Sequence, residues 1–248
     1  MLLTIELHAV GGQDIVVPLQ YNHMIQALIY NSLDPEFADF LHDQGYDGAG
    51  RKFKLFCFSR IMGKYQKTGN EIKFQSPVQL IVISPVERFC QSLISGLLTK
   101  NELRLADTTV TVTGIAVDNP RVEEEMVRLK MLSPVVVYST MLRLDKRKYT
   151  CYFQPGERDF TEKVAENLRK KYLAVYHSPA PEGEIQIRPF SQPKLHVIKY
   201  KGIIVKGYTG ILEIRGPRDL LQIVVDAGLG SKNSMGFGCV EIISKGRK

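Results

Sequence analysis

Apolar and polar side chains alternate over residues 2–10, and Gly11-Gly12 closes the run. A period of two predicts a β-strand with one buried face. The rhythm then changes. Over residues 21–33 the apolar positions include Met24, Leu28 and Ile29, the spacing of a helix. Asp34-Pro35 opens a second, shorter helix, with Asp34 as its cap and Pro35 in its first turn. Phe37, Phe40 and Leu41 form its apolar face. Residues 53–59 and 71–74 read as strands. Ser84, Pro85, Val86 and Glu87 have the spacing of a capping box, in which serine and glutamate each satisfy an orphan backbone N–H. Phe89, Leu93, Ile94 and Leu97 follow at helical spacing. Residues 108–117, rich in Thr and Val, read as a further strand. Counting the first two helices together, the order is βαββαβ, the ferredoxin-like pattern.

Around residues 118–125 the composition turns polar, with Asn119-Pro120 inside the stretch. A boundary is expected there. The second half repeats the element order. Residues 134–138 and 148–153 read as strands. Residues 157–172 form an amphipathic helix, with Phe160, Val164 and Leu168 at four-residue steps. Residues 185–198 and 201–212 read as two long strands in a hairpin-like pair. Pro217 begins a helix carrying Leu220, Leu221, Val224 and Val225. A Gly-rich loop follows, and residues 239–243 are the last strand. The expected fold is α+β, two tandem ferredoxin-like (βαββαβ) units over residues 1–122 and 123–248. No residue-level repeat links the halves, so the duplication rests on element order.

With 44% hydrophobic and 24% charged residues in 248, the chain can bury a core, which excludes a disordered protein. Its formal net charge is +7, and the basic residues are segregated. Residues 48–70 contain no acid but carry Arg51, Lys52, Lys54, Arg60, Lys64 and Lys67. Residues 185–212 also lack acids and carry Arg188, Lys194, Lys199, Lys201 and Lys206. Such clustering builds a one-sided positive field suited to a polyanion. Cys57, Cys90, Cys151 and Cys239 form no CxxC pair, so zinc-ribbon spacing is absent and free thiols are expected. No metal or other cofactor is called for. No apolar run approaches the ~20 residues of a membrane helix, and the first residues read as a strand rather than a signal peptide. The expected location is the cytoplasm.

The most distinctive segment is residues 228–238, Gly-Leu-Gly-Ser-Lys-Asn-Ser-Met-Gly-Phe-Gly. Gly228, Gly230, Gly236 and Gly238 allow positive φ and close backbone approach. Successive N–H groups could then converge on an anion, with Ser231, Lys232, Asn233 and Ser234 as further donors. Asn233 stands where a GxGxxG fingerprint needs its third glycine, and no GK[ST] tripeptide follows a Gly-rich run, so neither nucleotide motif is present. A simple turn between helix and strand is the bland alternative.

The GhGxxxxxGhG pattern before a final strand resembles the C-terminal signature of the CRISPR repeat-processing endoribonucleases, within the superfamily of ferredoxin-like repeat-associated RNA-binding proteins. Residues 18–23 with Leu28, Ile29, Tyr30 and Asn31 resemble that family's first helix. Phe40-Leu41-His42 resembles the end of the next helix. Residues 51–59 resemble the second strand, and residues 95–98 the helix before the fourth strand. The likeness spans nearly the whole chain in order. It implies cleavage of precursor RNA within CRISPR repeats by the 2′-hydroxyl, without metal. The products would be a 2′,3′-cyclic phosphate and a 5′-hydroxyl.

The resemblance places the three services of that reaction on Tyr30, His42 and Lys54. His42 is the preferred general base, Tyr30 the acid or positioner, and Lys54 the cation at the phosphate. Lys52 is the alternative lysine, because alternation puts Lys52 and Lys54 on one strand face. The RNA track would run over the Gly-rich loop, Lys194, His196, Lys199, Lys201 and Lys206, extended by Arg60, Lys64 and Lys67. Each residue has a plainer reading: Tyr30 as packing, His42 as a helix C-cap, Lys54 as a solvated charge. The competing functions are a non-cleaving RNA-binding subunit of a CRISPR ribonucleoprotein and a nucleotide enzyme using the loop for phosphate. Partners beyond repeat RNA could include other complex subunits or a second copy of the chain.

Overall fold

A computed structural model describes residues 1–142 and 147–243. Strand β1 (Leu2–Ala9) alternates buried and half-buried side chains, as its period demands. It leads to β2 (Ile15–Pro18) and helix α1 (Asn22–Asn31). Helix α2 (Pro35–Asp43) starts where expected: the Asp34 carboxylate accepts from the Phe37 amide at 3.0 Å. Strands β3 (Tyr46–Gly48) and β4 (Arg51–Phe53) pair as a small hairpin, and β5 (Cys57–Phe58) is separate from it. Then come β6 (Tyr65–Thr68), β7 (Glu71–Phe74), β8 (Val78–Ile83), helix α3 (Glu87–Thr99), β9 (Leu103–Leu105) and β10 (Thr108–Asp118).

The main sheet of this half runs β5-β8-β1-β10-β9. Strands β1, β5, β8 and β10 are therefore the first to fourth strands of a ferredoxin-like unit, in the spatial order second, third, first, fourth. Leu3, Ile5 and Leu7 of β1 share a core with Ile25, Leu28 and Ile29 of α1 and with Phe89, Leu93 and Leu97 of α3.

Three expectations are corrected here. The single strand over residues 53–59 is two pieces, because Leu55 takes φ +53° and breaks the run. Lys54 thus lies beyond β4, and strand alternation does not put it beside Lys52. The third strand of the unit is β8, not residues 71–74; β7 instead joins β2 and β6 in a separate sheet, order β2-β7-β6. The capping box does not form. The Ser84 hydroxyl accepts from the Val86 amide at 3.1 Å and donates to the Leu55 carbonyl at 2.7 Å, tying the helix entry to the break at Leu55.

The second half contains β11 (Met126–Met131), β12 (Tyr138–Leu142), β13 (Lys148–Tyr152), helix α4 (Arg158–Tyr176), β14 (Gln186–Pro189), β15 (Lys194–Tyr200), β16 (Ile203–Thr209), β17 (Ile211–Arg215), helix α5 (Arg218–Ala227) and β18 (Val240–Ile242). Its sheet runs β14-β17-β11-β18, the same second-third-first-fourth order. The first strand is β11. Residues 134–138, expected in that role, only bridge to Tyr208 and the Gly-rich loop before β12 begins.

The long pair expected over residues 185–198 and 201–212 is real but bent. Its base, β14 with β17, belongs to the sheet, and its outer part, β15 with β16, projects as a hairpin. The bend falls at residues 190–193 and at Gly210, whose φ of +147° suits glycine. Among the described residues no helix is long and apolar enough to cross a membrane.

The halves interlock. Phe53 and Leu55 belong to the core of the second half, with Leu129, Val164, Leu168 and Val224. Burying each side chain stabilises by about 1.5–3 kcal/mol. Helix α4 packs against β3, and a Cβ on Gly48 would lie 2.1 Å from the Lys170 carbonyl oxygen. We expect Gly48→Ala to cost about 1–3 kcal/mol, the usual range for overpacking. Urea unfolding would show it as a lower midpoint with unchanged slope.

Candidate active site

The Gly-rich loop closes on itself. Gly228, Gly230, Gly236 and Gly238 have φ of +78°, +71°, +82° and +80°. A Cβ on Gly238 would lie 2.0 Å from the Leu229 carbonyl oxygen, and one on Gly236 2.4 Å from the Phe58 ring. Glycine is therefore required by both conformation and space. The amides of Gly228, Leu229, Ser231, Met235, Gly236 and Gly238 all donate to carbonyls within the protein. These bonds occupy six of the loop amides, so convergence on an anion is left to the other loop amides and to the side chains. Asn233 is its clasp, with Nδ2 donating to the carbonyls of Leu229 at 3.2 Å and Phe237 at 3.0 Å. Lys232 and Ser234 line a groove with Arg51, Lys52 and Lys54, and the Lys232 ammonium lies over the Tyr138 ring, 5.2 Å from its centre.

Beside this groove, and sharing Lys54 and Ser234 with it, an open cleft is lined by His23, Gln26, Tyr30, His42, Tyr200 and Lys201. Tyr30 comes from the last turn of α1, His42 from the last turn of α2, and Lys54 from the break after β4. Element ends expose functional groups, and here three ends meet. The Lys54 ammonium donates to the His42 main-chain carbonyl, so the two residues are held together. Burial pushes the Lys54 ammonium below its ordinary range, against the pull of the Asp43 carboxylate. The His42 ring is 80% exposed, and its Nδ1 lies 2.7 Å from Asp43 Oδ1. An ionised carboxylate only accepts, so Nδ1 carries the proton and Nε2 presents its lone pair in the neutral ring. Tyr30 packs edge-on against Phe56, ring centres 5.8 Å apart. Burial, with Tyr200 nearby, pushes its hydroxyl up to about 12.

The remaining expected site residues are spread over several surfaces. Lys201, at the tip of the β15–β16 hairpin, lines the cleft. Lys52 pairs with Asp47 at 3.3 Å on the β3–β4 hairpin and lies in the groove, outside the cleft lining. Ser231 accepts from Arg51 at 3.2 Å. Arg60 lies 3.5 Å from His196 Nδ1 at the hairpin base. Lys194 and Lys199 are exposed on β15. Lys64 lines a separate depression with Tyr65 and Lys73 on the small sheet, outside the cleft lining.

Three residues are not legible from the chain alone. Gln26 donates to the Ser234 carbonyl at 2.7 Å and accepts from the Tyr200 hydroxyl, joining α1, loop and hairpin. Asn22 donates to the Met235 and Gly236 carbonyls at 3.0 and 3.1 Å. Lys171 is buried under the loop. The helical spacing of Asn22 and Gln26 put them on one face, but nothing local named their partners.

Tandem ferredoxin-like modules with a basic cleft beside a glycine turn define the class of fold. The chain belongs to the Cas6 family of CRISPR-associated proteins: residues 16–116 match "CRISPR-associated protein Cas6, N-terminal" and residues 117–242 match "CRISPR associated protein Cas6, C-terminal". It is 28% identical over 245 residues to "CRISPR-associated endoribonuclease Cas6 1" of Methanocaldococcus jannaschii, covering 96% of this chain and 92% of that protein. It is 27% identical to "CRISPR-associated endoribonuclease Cas6" of Pyrococcus furiosus, covering 91% and 83%. A solved "CRISPR associated protein Cas6" superposes with a TM-score of 0.81 at 25% identity, over 98% of this chain and 99% of that one. A Cas6-related protein from Pyrococcus furiosus shares the fold, with a TM-score of 0.85 at 20% identity and 99% coverage of both.

The two cleft tyrosines give an alkaline signature. Burial also pushes Tyr200 up to about 12. An unfolded tyrosine ionises near 10, so below that pH both states hold the proton and these residues add no pH dependence. Above it the unfolded chain releases protons first, and stability falls as pH rises from about 10 towards 12. We expect the melting temperature to drop over this window, and to drop less in a Tyr30→Phe, Tyr200→Phe double variant.

Proposed function

We propose that this protein cuts CRISPR repeat RNA without a metal ion, using Tyr30, His42 and Lys54. The observation that carries the proposal is the shared cleft: three groups from three element ends line one opening together with Ser234 of the Gly-rich loop. The names of the relatives at 28% and 27% identity support the substrate and the cut.

In this reading the Nε2 of His42 takes the proton of the 2′-hydroxyl, and the 2′ oxygen forms its bond to phosphorus. Lys54, partly desolvated, offers its charge to the crowded phosphorane, where a fixed cation is worth more than in water. The bond from phosphorus to the 5′ oxygen breaks, and that oxygen receives a proton from the Tyr30 hydroxyl, which stays protonated at neutral pH. The products are a 2′,3′-cyclic phosphate and a 5′-hydroxyl. Lys201 and Lys232 contact phosphates flanking the cut, and Lys194, Lys199 and Arg60 extend the track along the hairpin. Lys52, held by Asp47, acts in binding.

Single-turnover cleavage of repeat RNA in EDTA tests the proposal. His42→Ala is expected to lower the rate about 10²- to 10⁴-fold and Lys54→Ala about 10²- to 10³-fold, with RNA still bound. Tight binding with no product from the unaltered protein would leave only a guide-coating role. Full activity of His42→Ala, or its loss in EDTA, would sink the mechanism.

A further inference from the structure

Lys171 is 1% exposed on the inner face of α4, and among the described residues it is the buried lysine. Its ammonium donates to three main-chain carbonyls: Ala227 at 3.3 Å, Gly228 at 2.5 Å and Gly230 at 3.2 Å. Three acceptors match its three N–H bonds. The first of these carbonyls belongs to the last residue of α5 and the other two to the Gly-rich loop, so one side chain spans the junction. Among the described residues no carboxylate pairs with it. The charged or titratable groups that act on Lys171 are Cys57 and Arg51. Burial pushes the ammonium down to about 7, while the negative end of the α5 dipole favours its charge.

The role of this group is not filling. Burying an ammonium costs several kcal/mol, and an apolar residue of similar volume would avoid that cost. What an apolar residue cannot do is turn three carbonyls inward. The Gly228 and Gly230 carbonyls, at residues with φ of +78° and +71°, are instead both held at Lys171. Lys232, itself at φ +63° and with its ammonium over the Tyr138 ring, and Ser234 follow in the loop and line the groove beside Arg51 and Lys54.

We infer that Lys171 is the positioning residue of the Gly-rich loop, holding it in the shape that presents Lys232 and Ser234 to RNA phosphate. This rests on the proposal that the cleft binds repeat RNA, and it adds a residue that touches no substrate.

Lys171→Met tests it through two readouts. The first is hydrogen exchange of the loop amides in the absence of RNA, expected to accelerate about tenfold or more relative to the β1 and β11 amides. The second is single-turnover cleavage. The RNA concentration for half-maximal rate is expected to rise about 10- to 100-fold, the scale of a misplaced contact, while the rate at saturation stays within about threefold. Unchanged loop exchange overturns the inference, as does a fall in saturating rate with unchanged half-saturation. If the unaltered protein neither binds nor cuts repeat RNA, the functional proposal fails and the exchange readout alone decides whether Lys171 shapes the loop. Should Lys171→Met not fold, the unaltered protein labelled with ¹⁵N-lysine replaces it. A slowly exchanging Lys171 ammonium resonance that shifts on adding RNA supports the inference, and one that ignores saturating RNA overturns it.

Discussion

Asn22 and Gln26, one turn apart on the first helix, donate to the carbonyls of Ser234, Met235 and Gly236 near the other end of the chain. These bonds seat the Gly-rich loop on α1, with Gln26 one turn before Tyr30. The loop can approach so closely only because Gly236 has no Cβ to meet the Phe58 ring. With the loop seated, Lys54 and Ser234 become neighbours, and the cleft acquires a wall from each half. Without it, the first half would carry its tyrosine, histidine and lysine on an open surface.

The same logic recurs on the other side of the loop. Phe53 and Leu55 are buried in the second half's core, so the backbone on both sides of Lys54 is anchored in the module that carries the loop. The left-handed turn at Leu55 then ends β4 and directs the chain to β5 in the first half's sheet. Lys54 sits at that crossing, where desolvation and the His42 carbonyl orient its charge. Such placement is costly for a lysine with no role, since exposed and flexible is its ordinary state. Cys57 and Cys239, both buried with Ile81 and Ile83, line the seam between the two sheets close to this crossing.

Polar groups are economised throughout the site. Six of the loop amides donate to main-chain carbonyls, three of them within the loop and three to neighbouring segments. The Tyr200 hydroxyl is engaged by Gln26, while Tyr30, with raised affinity for its proton, is the cleft phenol with no such clamp among the described residues. The hairpin that supplies Tyr200 and Lys201 reaches the cleft because the long strand pair bends at Gly210 and residues 190–193. A straight pair would have continued the sheet and carried those groups away.

The order of amino acids determined the repeated βαββαβ plan, the strand β1, the helices α1, α2, α4 and α5, the glycine turn and the two acid-free basic stretches. These follow from local periodicity, capping and composition, which a chain displays before it folds. It did not reveal β8, whose near-continuous apolar run has no period to read, or β11, whose alternation follows directly on an acidic stretch resembling a linker. The break at Leu55 was also hidden, because a leucine with positive φ is imposed by burial on both sides and not by any turn residue. Tyr30, His42 and Lys54 were nameable through family resemblance, yet their meeting in one cleft was a tertiary outcome. So were Asn22, Gln26 and Lys171, each of whose partners lies more than fifty residues away in the chain. Their selection depends on which carbonyls the folded loop turns toward them, and no local pattern encodes a carbonyl's direction.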